Sequence, residues 1–493
     1  WVCRYADVTL CLNGYTITGA DGQLAIEVGK EASLAITDCR TEPGKITHAT
    51  DATGNNNGGI SAGGTLTLWN GIITGNTAGY YGGVYVVNGT FIMNGGIITG
   101  NTCTLSSGVG GVRVYGTFTM NGGTITGNNG LYSGGVYLSD GTFTMTGGDI
   151  TGNTGETVGG VCLNSGTFAM KGGSITRNTG GTFGGGVYQA GGTFTMSGGE
   201  ITGNKSTSSY TGGGVYVYGG TFTMDGGKIA ENVGPCGGVY VRNGGTFTLN
   251  QGTITENKNT YTYSAAGVYV AGTFTMTGGS ISKNTNPGKE ISDGGGGVYV
   301  NGTFNMAGGE ITGNETIGAN GSGGVYVHGT FTMTGGSIKG NKSSGGSASS
   351  GGVFVGRNCT FNMEEGTIAD NENTSGNYSG GGVYIDNGKF TLTGGTISGN
   401  TSASNGGGVY LNGGTFTMKG GKISNNKTTS DASYGGGGGV YADGTFIMND
   451  GEISGNASAS SGGGVYLDSD SFTMNGGKIS GNTSASNGGG VYL

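Results

Sequence analysis

Residues 212–232 read GGGVYVYGGTFTMDGGKIAEN. The phrase returns as GGVYLSDGTFTMTGGDITGN at 134–153 and as GGGVYLNGGTFTMKGGKISNN at 406–426. The Phe of the TFTM-type stretch is a convenient anchor. It occurs fifteen times, from Phe91 to Phe472, always with an Ile seven residues later and an Asn three beyond that. Leu66, Ile73 and Asn76 keep the same spacing earlier in the chain. A VYV-type segment precedes each Phe. The stretch from the Ile to the next VYV is elastic, at ten to seventeen residues, so one period spans 24 to 31. A fixed internal period in a chain of 493 residues argues for one repeat architecture rather than several unrelated domains.

Each period holds three short segments bounded by Gly and Asn, which read as strands separated by turns. Side chains alternate faces along a strand. Val215 and Val217 therefore share one face, and Phe222, Met224 and Ile229 meet them in a common interior. All thirteen Met lie two residues after a Phe, with Leu249 and Leu392 in the remaining two places; this is a core row, not a metal or cofactor site. One period alone buries too little to offset its ordering entropy. Stacking pairs every strand with the copies above and below it. The reading is an all-β, right-handed, single-stranded parallel β-helix of about eighteen coils with three strands each. The hand follows from the rule for parallel crossovers. At roughly 4.8 Å per coil it forms a rod about 85 Å long. The Asn after each Ile stacks on its neighbours as an internal amide ladder and tolerates the sharp turn; glycosylation is the competing reading for those followed by x-Ser/Thr.

Residues 1–57 read as irregular first coils or a cap, and 58–493 as regular repeats. Leu10 and Ile17 keep the seven-residue spacing within VTLCLNGYTITG (8–19), but no Asn follows, and Asp21 lies one place further on. None of the thirteen Met is at position 1 and Leu493 falls inside a new repeat phrase, so the chain is read as an internal fragment whose export signals and anchors lie elsewhere.

Composition narrows the function. The chain has 121 Gly and 3 Pro, but no Gly at every third place, which excludes collagen. Net charge is −8, with 21 scattered Lys and Arg, which argues against a nucleic-acid or anionic-membrane surface. No apolar run approaches a membrane span of about 20 residues. There are seven Cys, no CxxC pair and two His, so neither a structural metal site nor any cofactor is expected. Cys3, Cys11 and Cys39 leave room for one disulfide near the start, whose state the sequence does not settle.

Three stripes face outward. The first is the Tyr of VYV: thirteen of sixteen positions between Tyr85 and Tyr492 are Tyr, with Arg113, Cys162 and Phe354 as exceptions. A row of aromatic rings with few charges suits sugars or another protein, and Tyr188, Tyr216, Tyr240, Tyr269, Tyr299 and Tyr326 are its candidate ligand-binding residues. The alternative is that the rings stack on each other and seal the sheet. Beside them runs the elastic loop, such as KSTSSYTGGG at 205–214. The second stripe is Thr on either side of Phe, present at both places in eight of fifteen coils; a double Thr row suggests ice binding, or simply strand propensity. Ile92, Ala169, Asn305, Asn362, Lys389 and Ile447 interrupt it. The third stripe places Lys422, Glu452 and Lys478 at matching positions, as cross-strand charge pairs.

For an enzyme, the densest acidic patch is Glu364, Glu365, Asp370, Glu372 and Asp386, with Arg357 near. Asp443, Asp468 and Asp470 form a second, and either suits a solvated face or weak Ca²⁺ binding. His328 stands alone as a surface residue. No nucleophile–base constellation or phosphate-binding loop is present.

The GGGVYV–GTFTMNGGTITGN phrase resembles the repeat of adhesin-like bacterial cell-surface right-handed parallel β-helix proteins. It is also similar to the GGA[ILV] and FxxN repeats of polymorphic outer-membrane proteins: GGGV or GGV stands for the first, and Phe118 to Asn121 and Phe472 to Asn475 match the second. The likeness covers roughly residues 58–493, and VTLCLNGYTITG is similar to an opening coil. It implies an exported, extracellular, surface-attached location and carries over no catalytic residue. The expected function is a non-enzymatic surface rod, adhesive or stalk-like, contacting glycans or host and neighbouring surface proteins. A polysaccharide lyase or hydrolase is the alternative, and ice binding a further one. The sequence sets no oligomeric state.

Overall fold

A computed structural model describes residues 2–3, 5–20, 23–48, 58–209, 211–287, 294–318, 320–346, 348–376, 378–431, 436–469 and 471–493. Asp21 and Asp470 lie outside them. The chain is an all-β parallel solenoid of about 17 turns, with no helix among the described residues. Its contacts divide it into two units, Trp1–Gly234 with Gly244–Thr246, and Pro235–Asn243 with Phe247–Leu493.

A coil of the first unit shows why the sequence folds this way. Val112–Val114, Thr117–Met120 and Thr124–Thr126 are strands, and each pairs in parallel with its copy one period on. Like sits on like: Val112 on Val136, Phe118 on Phe143, Ile125 on Ile150. These side chains are fully buried, as are the Met of the same rows. In the second unit Tyr299 faces Tyr326, Phe304 faces Phe331 and Ile311 faces Ile338. The Phe rings stack within each unit at 4.5–4.9 Å, with planes 2–12° apart.

The coil has four strands, not three. The elastic stretch begins with a two-residue strand, such as Asn129–Gly130 or Glu315–Thr316, whose copies pair in a separate sheet. Its second residue points inward. In the first unit that row is small, with Ala78, Cys103, Gly130, Gly155 and Gly180. In the second it is polar, with Asn259, Asn286, Thr316, Ser343 and Asn373.

The Asn ladder is present. Asn101 Nδ2 donates to Asn128 Oδ1 at 2.9 Å and to the Ile73 carbonyl at 3.0 Å, while its own Oδ1 accepts from the backbone N–H and Nδ2 of Asn76. The pattern repeats from Asn76 to Asn232 in the first unit and from Asn257 to Asn482 in the second. Asn76 through Asn456 are buried, and a buried amide whose nitrogen is already bonded is closed to glycosylation. The row starts at Asn76, whose Oδ1 has no partner among the described residues.

The first coils join the stack with a different register from the expected one. Val8, not Leu10, aligns with Leu34 and Leu66 in the Phe row; Leu10 aligns with Ile36 and Leu68 in the Met row. Ile17 stays in the Ile row with Ile46 and Ile73. The turn between the two strands is two residues longer than in the regular coils, and the extra residues are taken up in the turn while the strands keep their pairing. Asp38 organises the next turn: its carboxylate accepts from the backbone N–H groups of Gly14, Arg40 and Gly44 at 2.7–3.1 Å. Those bonds, the Arg40 one foremost, hold its pKa below the ordinary value. Cys11 and Cys39 carry free thiols with their sulfurs 3.4 Å apart.

Candidate functional site

The Tyr rings leave the outer face of their strands, as alternation requires, but they are not exposed. Tyr188, Tyr216, Tyr299 and Tyr326 are 4–6% accessible, and Tyr240 and Tyr269 are half-buried. The elastic loop folds back over them. In the second unit Tyr299, Tyr326, Phe354, Tyr384, Tyr410 and Tyr441 form a second apolar cluster with Ala265, against which Ala348 packs. Ring stacking closes the faces too. Tyr269, Tyr299, Tyr326 and Phe354 follow one another at 4.6–5.3 Å with planes 3–8° apart. Among these rings each face has a neighbour, so the expectation of an exposed aromatic stripe is corrected here to that of a covered ladder.

The exceptions in the row have local remedies. Arg113 lies 5.4 and 5.3 Å from the ring centres of Tyr115 and Tyr137, a cation–π pair. Cys162 is fully buried beside Tyr132, and burial pushes its thiol pKa up. Burial likewise raises the phenol pKa values of Tyr384, Tyr410 and Tyr441. The Tyr441 hydroxyl donates to Asp468 Oδ2 at 2.7 Å.

The acidic patch does not assemble. Glu364 and Glu365 occupy the turn after Thr360–Met363, and Asp370 the turn after Thr367–Ala369. Glu372 lies on the two-residue strand, where it pairs with Lys342 at 3.5 Å. Asp386 ends Val383–Asp386, on yet another corner of the coil. Proximity along the sequence distributes them around the cross-section. The third stripe is as expected, with Lys422 and Glu452 3.3 Å apart, a half-exposed pair of small energetic worth. The Thr rows are in register, Thr117 on Thr142 and Thr119 on Thr144, with the interruptions the sequence shows.

The structure does bring together residues from both expected sites. A groove of about 310 Å³ in the second unit has Tyr299, Tyr326 and Phe354 as its floor. One wall is formed by the turns bearing His328, Arg357 and Asp386. The other is formed by loop residues Tyr263, Asn320 and Ala348. His328 is not isolated: its Nδ1 lies 3.2 Å from Asn301 Oδ1. Asp386 Oδ1 accepts from Asn387 Nδ2 at 3.0 Å and Asn412 Nδ2 at 3.4 Å. Tyr263, Asn320 and Ala348 all have positive φ, between 53° and 55°. For Tyr and Ala this conformation costs about 1–2 kcal/mol each. The sequence signal for this place was the altered copy VFVGRNCTF at 353–361, with Phe for Tyr and a lengthened turn.

Comparison of the chain with protein-family models, curated proteins and solved structures finds no match.

Proposed function

We propose that the chain is a non-enzymatic extracellular scaffold whose loop side contacts glycans or neighbouring surface proteins. The observation that carries this reading is the division of labour within each coil. The interior repeats residue by residue, whereas the elastic loops vary in length and carry exposed aromatic residues, Tyr263 at 57% and Tyr378 at 63% accessibility. Variation concentrated in the loops around a repeating interior is what a display surface needs. The dispersal of Glu364, Glu365, Asp370 and Asp386 over separate corners favours this reading over a polysaccharide-active enzyme. The test is binding of the purified chain to a panel of glycans, mucins and surface proteins, run beside assays for reducing ends and unsaturated products on acidic and neutral polysaccharides. Saturable binding without product is the expected result; product release overturns the reading.

A further inference from the structure

We infer that the groove over Phe354 is a binding site for one carboxylated sugar unit; this rests on the reading of the loop side as a contact surface. Four observations converge there. First, Phe354 stands between Tyr326 and Tyr384 in the ladder and lacks the hydroxyl its neighbours carry. The row of hydroxyls is interrupted at that coil, which opens the floor. Second, Arg357 and Asp386 line the same groove but form no ion pair, and among the described residues no carboxylate pairs with Arg357. Two opposite charges on one wall of the groove, not paired with each other, suit a ligand that engages both, with a carboxylate on the guanidinium fork and hydroxyls donating to Asp386. Third, Tyr263 is more than half exposed and outside the stacked ladder, so its ring face is open to the C–H face of a sugar.

The fourth observation concerns the loop wall. Tyr263, Asn320 and Ala348 hold left-handed backbone conformations, and such strain clusters at ligand-binding segments. In the same coils Ser264 Oγ, beside Tyr263, and Asn286 Nδ2 and Oδ1, Thr316 Oγ1 and Ser343 Oγ on the inward row of the two-residue strands are buried without a partner among the described residues. Native interiors leave few such groups unpaired. The volume, about 310 Å³, is at the lower end for ligand sites and matches a single ring rather than an extended chain.

The test is calorimetric titration of the full chain with 3′-sialyllactose and with digalacturonate, and with lactose as the neutral counterpart. The two carboxylated probes separate a sialic-acid source from a uronate source. Phe354→Tyr restores the side chain that neighbouring coils carry and fills the floor without removing packing; Arg357→Gln removes the carboxylate partner on an exposed turn. Saturable binding of a carboxylated probe, weakened at least tenfold in both variants at unchanged melting temperature, is the expected result. Equal binding of lactose, or unchanged affinity in both variants, overturns the inference. Binding of other ligands on the glycan and protein panel with none to the carboxylated probes overturns it alone. Absence of any ligand on that panel removes the contact-surface reading with it.

Discussion

Two ladders of rings run through the coils, one inside and one outside, and they obey different rules. The Phe ladder is uniform, its rings stacked within 12° in each unit. The outer ladder is not. Tyr299 and Tyr326 are 3° apart, but Tyr384, Tyr410 and Tyr441 tilt by 48° and 49°, and Tyr188 and Tyr216 by 49°. The inner rings are walled by residues that recur in every coil, so register alone fixes them. The outer rings are walled by loops of variable length, and each settles against the cover it happens to have. Close packing makes repetition contagious only where all the neighbours repeat as well.

The largest expected effect strikes neither ring ladder but the Asn row that sets their register. Asn341→Leu removes the acceptor for the Asn314 backbone N–H and Nδ2 and the donor to the Ile311 carbonyl. Each orphaned group costs about 1–3 kcal/mol, so the coil loses about 5 kcal/mol, read as amide-exchange protection of residues near 311–341. Next, Phe304→Ala opens a hole in the inner ladder and costs about 3–5 kcal/mol, visible in urea denaturation. Tyr441→Phe keeps the outer packing and deletes only the bond to Asp468; a loss of about 1.5 kcal/mol is expected for a charge-assisted bond, and no loss would mean that ring burial alone holds the outer row.

Alkali separates the ladders without mutation. Burial raises the phenol pKa values of Tyr384 and Tyr410 above the ordinary value of 10.0. The unfolded state then ionises first, so their stabilisation is full below pH 10 and is lost as pH rises towards the folded pKa. The slope is about 1.4 kcal/mol per pH unit for each such ring. The expected outcome is loss of protection in the outer row before the inner one, with phenolate absorbance rising in step. The smallest effect is that of Phe354→Tyr, within about 1 kcal/mol in melting, because the added hydroxyl enters the groove rather than the packed interior.

The interior was readable because its spacing is invariant: Phe, then Ile seven later, then Asn three later, with all of the Met in one row. The outward direction of Tyr216 and Tyr299 was also readable, from alternation. Their burial was not, since the covering loops share neither length nor composition; the small residues Ala265 and Ala348 that allow close approach have no periodic signature. The fourth strand escaped because two residues are too few to show a pattern. The acidic residues misled because neighbours in sequence, Glu364 and Asp370, occupy successive corners with a strand between them. At the first coils, Val8 and Leu10 are both apolar and two apart, so the sequence offered either as the anchor.

The Asn ladder has a consequence for the history of the chain. Within each unit the amides bond chiefly to the coil before and the coil after, all in the same direction. An unequal crossover in the gene that deletes or duplicates one whole period rejoins an Asn to an Asn and a Phe to a Phe, leaving no seam. Coil number is thus free to drift between lineages while the residues inside a coil are not. Shortened and lengthened alleles of this solenoid should fold alike, and a cut that removes half a period should not fold across the join.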